Sequence, residues 1–349
     1  MSEIASACDR RFNFDDFDEH RLDLGQCPVR DCAAELIDIP VGKTKKPWCP
    51  AHGIRLHTNT FVYWNGQQRI DESKLRNFIV RPDLVRAIAL RKGMKVESHR
   101  LGYEMSEDAL SWNVFVSLAA AGRLRAAAEF LTSRSLRTEP DLYLWGRRID
   151  LRGGSDVLFA PLQKSRDDLE KGIHPFVTEP DIMLVADGEI LICIEAKFGA
   201  ANPLAHDSKL KAGDKPTARD GLLQRYLGDK TSARTKAVVR AERIGPHPRS
   251  QLLRNVVFAS EMAGDTPWHV VNLVSATLSV GGRDDPTESY ADPSNEVRGY
   301  LREDHQHCFT YRSWEGLHAN VVKDQANLTA LDQYLRGKSA HYRPAFELR

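Results

Sequence analysis

The chain has 349 residues, a mass of 39.3 kDa and a formal net charge of +1, with 42% hydrophobic and 28% charged residues. This composition excludes a disordered or fibrous protein and is typical of a globular chain with one large domain and a smaller one. No apolar run approaches the roughly 18 residues that cross a bilayer, and the acidic beginning does not resemble a secretory signal. We therefore expect a cytoplasmic protein without a membrane partner.

Residues 1–24 are predicted to form an acidic leader without a core of its own. Five acids crowd this stretch: Asp15, Asp16, Asp18, Glu19 and Asp23. Low hydrophobicity combined with like charge disfavours an independent fold. Three aromatic side chains are still able to dock elsewhere: Phe12, Phe14 and Phe17.

Residues 25–66 are predicted to form a zinc-ribbon-like segment. Four residues separate Cys27 from Cys32, and two separate Cys49 from His52. Four nitrogen and sulfur ligands complete a tetrahedral structural Zn²⁺ site, and such a site folds a segment that is too short for its own core. Disulfide bonds are the alternative, although they fit a cytoplasmic protein poorly, and His57 is an alternative ligand to His52. Three lysines of the segment suit contact with nucleic acid: Lys43, Lys45 and Lys46.

A helical connector is predicted over residues 67–100, after a short strand at Phe61–Trp64 that ends in the turn pair Asn65-Gly66. The connector contains a helix at Leu84–Arg91. From residue 101 to 349 helices and strands alternate, which predicts an α/β domain with a C-terminal extension. Ser106 is the predicted N-cap of its first helix.

The remaining elements of this domain follow from hydrophobic periodicity and turn residues. They are a helix over Leu124–Leu131, a strand over Leu142–Trp145, a hairpin of Ile182–Ala186 and Glu189–Lys197, a helix over Ala218–Leu227, strands over Val256–Ala259 and Val270–Val274, a loop over residues 280–300 and a helix over Asn327–Leu335.

The hairpin is predicted to gather two carboxylates and one ammonium group at one end. A tight turn at Asp187-Gly188 brings Asp181 opposite residues 194–196, and strand alternation puts Glu195 and Lys197 on one face. Carboxylates this close repel each other unless a hard dication such as Mg²⁺ binds them. The dication would activate a water, and Lys197 would position that water or neutralise a phosphoryl group. These are the parts that phosphodiester hydrolysis needs, although a surface salt-bridge cluster has the same residues.

Pro180-Asp181 followed by Glu195-Ala196-Lys197 resembles the motif of the PD-(D/E)xK, or restriction-endonuclease-like, nuclease superfamily. The resemblance covers about half of the chain. It implies a mixed central sheet flanked by helices, with Mg²⁺ or Mn²⁺ held by Asp181 and Glu195. It also implies a further catalytic acid from the first core helix, for which Glu107 is the first candidate and Glu104 the second. Gln224 corresponds to a glutamine that some members place after the motif, although its spacing differs.

A basic stretch follows the motif and bears on the partner. Between Lys209 and Arg254 there are twelve Lys or Arg and four Asp or Glu, a local charge of +8. Such a stretch attracts phosphate backbones, but a solvated helical face has the same composition. We expect a metal-dependent nuclease that acts on DNA, as a homodimer if it cuts both strands, and the resemblance implies a role in restriction, repair or anti-phage defence. The alternative is a non-cutting nucleic-acid-binding or scaffold module with a zinc ribbon.

Overall fold

The computed structural model divides the chain into two compact units. The first combines Met1–Ser117 with Val322–Arg349, and the second is Leu118–Val321. The predicted boundaries at residues 24, 66 and 100 all fall inside the first unit. The structure describes residues 10–41, 43–57, 60–64, 72–92, 100–153, 157–171, 178–199, 202–203, 226–228, 231–245, 248–277, 288–289 and 292–348.

The described helices and strands alternate along most of the chain. The helices are α1 (His20–Asp23), α2 (Glu72–Leu75), α3 (Pro82–Lys92), α4 (Glu107–Ala120), α5 (Leu124–Thr132), α6 (Ala160–Leu169), α7 (Ala233–Val238), α8 (Ser250–Ala263), α9 (Ser294–Tyr300), α10 (Trp314–Leu317) and α11 (Thr329–Arg336). The strands are β1 (Ile37–Val41), β2 (Thr44–Cys49), β3 (Ile54–His57), β4 (Thr60–Tyr63), β5 (Asp141–Leu144), β6 (Arg147–Arg148), β7 (Ile182–Ala186), β8 (Ile190–Ala196), β9 (Asn202–Pro203), β10 (Trp268–Val274), β11 (Glu288–Ser289), β12 (Phe309–Ser313), β13 (Ser339–Ala340) and β14 (Arg343–Pro344).

The first unit is built on an antiparallel sheet in the order β1-β2-β3-β4. One face of this sheet packs on an apolar cluster that contains Phe12 and Phe17, both nearly fully buried. The described part of the predicted leader, residues 10–24, is therefore not a segment without a core. The acids of this segment are exposed or partly buried, whereas the Phe12 and Phe17 rings point into the core. Burial of these rings stabilises the segment by the hydrophobic effect.

Helices of the first unit lie within about two residues of the places that the sequence indicates. The helix predicted at Leu84–Arg91 is α3, and the one predicted at Asn327–Leu335 corresponds to α11 and the short turn before it. Ser106 caps α4 as predicted, because its Oγ accepts a hydrogen bond from the Ala109 N–H at 3.2 Å. A short polar side chain at this position satisfies an N–H group that has no partner inside the helix.

The second unit contains a mixed sheet between helices, so the α/β prediction is confirmed at this level. Its strand order is β12-β10-β8-β7-β5-β6, with β12, β10 and β8 parallel and the other pairs antiparallel. Helix α8 packs on one face against β8 and β10. Helix α5 lies on the other face, where the Thr310 hydroxyl donates to the Leu131 carbonyl at 2.7 Å.

Two predicted elements of the second unit are wrong. Val256–Ala259 is not a strand but the middle of α8, in which every residue from Leu252 to Ala263 except Arg254 and Glu261 is buried. A helix buried along most of its surface contains runs of β-branched and aromatic residues that imitate a strand. The predicted loop over residues 280–300 contains α9 in its last part. The helix predicted over Ala218–Leu227 lies almost entirely outside the described residues.

Candidate active site and metal centre

The hairpin of β7 and β8 forms at the predicted place, but its turn is one residue longer than Asp187-Gly188, because Ala186 pairs with Ile190 and Glu189 belongs to the turn. Ile182 lies opposite Ile194, so Asp181 comes next to Glu195 across the strand pair. Gly188 adopts φ +64° in the turn, a backbone conformation that glycine takes without steric cost. The turn therefore determines which acid of the first strand meets the end of the second.

Asp181 is tied to the second strand by its carboxylate. Its Oδ2 accepts a hydrogen bond from the Ala196 N–H at 3.0 Å, and its carbonyl accepts one from the Trp145 N–H at 3.2 Å. The side chain is half-buried, so solvent still reaches it. Asp181 thus has a defined position at the beginning of β7.

Glu195 and Lys197 form a buried ion pair at the end of β8. Lys197 Nζ donates to Glu195 Oε1 at 2.6 Å, and the two residues are only 7% and 2% exposed. Two residues apart on one strand, they share a face as predicted. Removing the two charges from water costs several kcal/mol per ion. Their mutual attraction does little more than offset this cost, so the pair adds little net stability.

The second oxygen of Glu195 is held by Asn255 on α8. Asn255 Nδ2 donates to Glu195 Oε2 at 2.8 Å, and Asn255 is fully buried. Its Oδ1 has no hydrogen-bond partner. A buried amide oxygen without a hydrogen-bond partner costs about 1–3 kcal/mol. That cost is consistent with a polar side chain kept here for its contact with Glu195.

Two further asparagines lie beside the same end of β8. Asn272 of β10 is opposite Glu195 in the parallel pair, and its Nδ2 donates to the Glu195 carbonyl at 3.3 Å. Asn202 donates to Asn272 Oδ1 at 2.8 Å, and both side chains are buried. The sequence analysis missed Asn255 and Asn272. The sequence offered only a weak signal, since Asn272 lies between Val271 and Leu273 and Asn255 precedes two valines, but both elements contain other polar residues such as Ser260 and His269.

The chain before and after the motif is held by buried hydrogen bonds. Upstream, Glu170 Oε1 accepts from the Tyr226 hydroxyl at 2.8 Å and its Oε2 accepts from the Thr178 N–H at 2.9 Å. Downstream, the Trp314 indole N–H donates to the Lys197 carbonyl at 3.1 Å. Tyr226 is 1% exposed. These contacts limit the freedom of both ends of the hairpin.

The other predicted site residues have different surroundings. Glu107 is half-buried at the first position of α4, in the first unit, and its catalytic role stays a prediction. Glu104 is 1% exposed and forms an ion pair with Lys338 at 3.3 Å, in the same unit. Gln224 lies outside the described residues.

Cys27, Cys32, Cys49 and His52 come together as predicted and could hold a metal ion such as zinc. Their ligand atoms all lie within 4.8 Å of one another. The Cys32 and Cys49 Sγ atoms are 3.8 Å apart, and His52 Nδ1 lies 3.5 Å from Cys27 Sγ and 3.4 Å from Cys49 Sγ. A tetrahedral site with Zn–S of about 2.3 Å and Zn–N of about 2.0 Å has edges of about 3.8 Å between sulfurs and about 3.6 Å between sulfur and nitrogen. The observed distances fit these edges.

The cysteines of this cluster are free thiols with unequal acidity. The pKa of Cys49 is lowered to about 4, chiefly because Cys27 donates a hydrogen bond to its sulfur and also because His52 does. The pKa of Cys27 is raised by the same bond and by burial. In the described part of the chain, no other group of three or more His, Cys, Asp or Glu brings its ligand atoms as close together. The Asp181–Glu195 pair supplies two such ligands.

Comparison with protein-family models, with curated proteins and with solved structures found no match. Among the helices that the structure describes, none is long and apolar enough to cross a membrane. The function therefore has to be argued from the arrangement of the chain's own residues.

Proposed function

We propose that this protein is a divalent-metal-dependent nuclease whose active site contains Asp181, Glu195 and Lys197. The observation that carries the proposal is the buried Glu195–Lys197 pair, 2.6 Å long, at the same strand end as the half-buried Asp181. An ion pair of this kind contributes little net stability compared with apolar residues of the same volume. Its occurrence beside a second carboxylate is more readily explained by chemistry than by folding.

Asp181 and Glu195 would hold Mg²⁺ or Mn²⁺, because carboxylate oxygens are the donors that these hard cations bind. The bound cation supplies an acidified water and neutralises charge on the phosphoryl oxygens. Lys197 contributes a positive charge beside the scissile phosphate and a proton donor for its oxygens. Asn255 and Asn272 hold Glu195 by its side chain and its backbone, so that its carboxylate keeps one orientation.

The mixed sheet with this hairpin at its centre also supports the finer proposal of a restriction-endonuclease-like fold. Parallel strands β8 and β10 end at the same edge, where the candidate site lies. DNA is the proposed substrate. The homodimer and the cytoplasmic location stay predictions from the sequence.

We also infer that the Cys/His cluster holds a structural Zn²⁺. The ligand set closes a tetrahedral site with four protein ligands: Cys27 and Cys32 from the N-terminal segment, Cys49 at the end of β2 and His52 on the turn that follows. Its inter-ligand distances support this, and so does its position within the Phe12 and Phe17 core. Zn²⁺ at this position would link the N-terminal segment to the sheet.

A non-cutting module is the second candidate, and one observation favours it. Both oxygens of Glu195 already have partners, and the residue is 2% exposed. A carboxylate in such surroundings also suits a purely structural ion pair. Cleavage assays separate the two candidates.

The test is cleavage of plasmid, linear duplex, single-stranded DNA and RNA with Mg²⁺, Mn²⁺ or no added metal. The variants are Asp181→Asn and Lys197→Met, with Asp187→Asn as a matched control at the exposed turn of the same hairpin. We expect metal-dependent cleavage that falls by at least about 100-fold in the first two variants and stays unchanged in the control. Folded wild-type protein that cuts none of the substrates would overturn the proposal.

A further inference from the structure

The four-stranded sheet of the first unit has an outer face that the Cys/His cluster does not use. Its inner face carries Cys49, Ile54 and Tyr63, which pack in the apolar cluster. Cross-strand pairs put Trp48, Arg55 and Val62 side by side on the opposite face. Strand alternation adds Lys46 and His57 to this outer face, because each lies two residues from one of these. The outer face is thus defined by Lys46, Trp48, Arg55 and His57, with Tyr103 beside Val62.

Arg55 is a buried cation on this face without an acidic partner. It is 6% exposed, and in the described part of the chain no carboxylate lies within ion-pair distance of it. Instead its Nη2 donates to the Tyr103 hydroxyl at 3.4 Å, and its guanidinium carbon lies 5.9 Å from the centre of the Trp64 ring. Cation–π contacts recover only about 1–2 kcal/mol of the cost of burying a charge. The guanidinium therefore keeps a strong attraction for an anion.

The positive charge of the outer face comes from Arg55 and Lys46, which lie near His57. The pKa of His57 is lowered first by burial and then by the positive charges of Arg55 and Lys46. Those side chains therefore lie close enough to His57 to act on it. The acid of β1, Asp38, pairs with Pro47 and so belongs to the other side of the sheet. No described strand residue of the outer face is acidic.

Aromatic rings are interleaved with these cations. The Trp48 and Trp64 rings meet edge to face at 6.3 Å, and the Trp48 indole N–H donates to the Trp64 carbonyl at 3.0 Å. Tyr103 meets His57 in the same way at 5.6 Å. Trp48 and Tyr103 are both partly exposed, so each offers a ring surface held in a fixed position. Rings fixed beside cations are the elements with which proteins bind unpaired bases and their phosphates.

We propose that the outer face binds single-stranded nucleic acid, with phosphates at Lys46 and Arg55 and bases stacked on Trp48 and Tyr103. The inference rests on the proposed nuclease function, to which it adds a substrate-binding surface in the first unit. A double helix offers no base face for stacking, and a protein partner would leave the charge of Arg55 unmatched unless it were acidic. Of the three lysines that the sequence marks for nucleic acid, the face selects Lys46.

The test exploits two neighbouring lysines on opposite faces. Lys46 pairs with Ile39 and lies on the outer face, whereas Lys45 pairs with Pro40 and lies on the inner side. Lys46→Glu and Lys45→Glu introduce the same change of charge one residue apart. Both are made in an Asp181→Asn background, so that no probe is cut. Binding is measured by fluorescence anisotropy with a labelled 20-mer of thymidine, a 20-mer of uridine and a 20-base-pair duplex.

We expect Lys46→Glu to weaken binding of a single-stranded probe by about tenfold or more and to reduce the dependence of binding on salt, because one phosphate contact is lost. We expect Lys45→Glu to weaken the same binding less than threefold. Comparison of the two 20-mers distinguishes DNA from RNA. Equal effects of the two variants, preference for the duplex, or no binding by any probe would overturn the inference. Zinc content and circular dichroism of both variants exclude misfolding. Binding by a wild type that cuts nothing would refute the nuclease proposal alone.

Discussion

Removal of Lys197 is the perturbation whose cost follows most directly from the structure. Lys197→Met keeps the length of the side chain but leaves the 2%-exposed carboxylate of Glu195 without its ammonium partner. Breaking one side of a buried ion pair costs about 3–5 kcal/mol. The remaining hydrogen bond from Asn255 at 2.8 Å offsets part of this cost, so we expect the free energy of unfolding to fall by about 3 kcal/mol.

The double variant Glu195→Gln, Lys197→Met removes both charges while an amide can still bind Asn255. We expect its free energy of unfolding to lie within about 1 kcal/mol of that of the wild type, so the double variant should be about 2–3 kcal/mol more stable than Lys197→Met alone. Free energies of unfolding come from urea titrations followed by circular dichroism and tryptophan fluorescence. Lys164→Met, at an exposed position of α6, is the control, with an expected change below about 0.5 kcal/mol. A double variant no more stable than Lys197→Met, or a cost of Lys197→Met below about 1 kcal/mol, would refute the buried pair.

Three further predictions concern titration, metal and backbone. Burial, together with the positive charge of nearby arginines, lowers the pKa of His269 to about 3. The unfolded chain binds a proton there below about pH 6.5, so stability is lost as pH falls from 6.5 towards 3, by up to about 1.4 kcal/mol per unit. Urea titrations should show a shallower loss in His269→Gln, and parallel curves would contradict this. Cys49→Ala should abolish zinc binding and expose the N-terminal segment to protease, whereas full zinc content would count against the four-ligand site. Gly146→Ala should lower the free energy of unfolding by about 1–3 kcal/mol, because the φ of Gly146 is +76° and a Cβ would lie 2.5 Å from the Leu162 side chain. Gly188→Ala, at φ +64° with open space around the Cβ, should lower it by about 1 kcal/mol. Similar losses in the two variants would show that the contact with Leu162 relaxes.

Much of the fold was predictable where a local pattern suffices. The hairpin of β7 and β8 follows from two apolar runs and the Asp187-Gly188 turn residues. Its register does not, because Glu189 joins the turn, and a two-residue turn would have put Asp181 opposite Ile194 instead of Glu195. Helix α8 was not predictable in this way. Its Val256–Ala259 run is apolar because the helix lies between β8, β10 and neighbouring helices, and local sequence does not reveal burial on most of a surface.

The candidate sites divide along the same line. Asp181, Glu195 and Lys197 are close because one hairpin carries them, so their spacing alone indicated this group. Spacing also indicated the pairs Cys27 with Cys32 and Cys49 with His52, but the fold of β1 and β2 brings the two pairs together. Asn255 and Asn272 reach Glu195 from 60 and 77 residues away. Only the packing of α8 and β10 against β8 brings them there, and that packing depends on the whole core. The sequence by itself determined which ionisable groups meet. The tertiary structure alone decided that they are buried, since exclusion of water is a property of the assembled core.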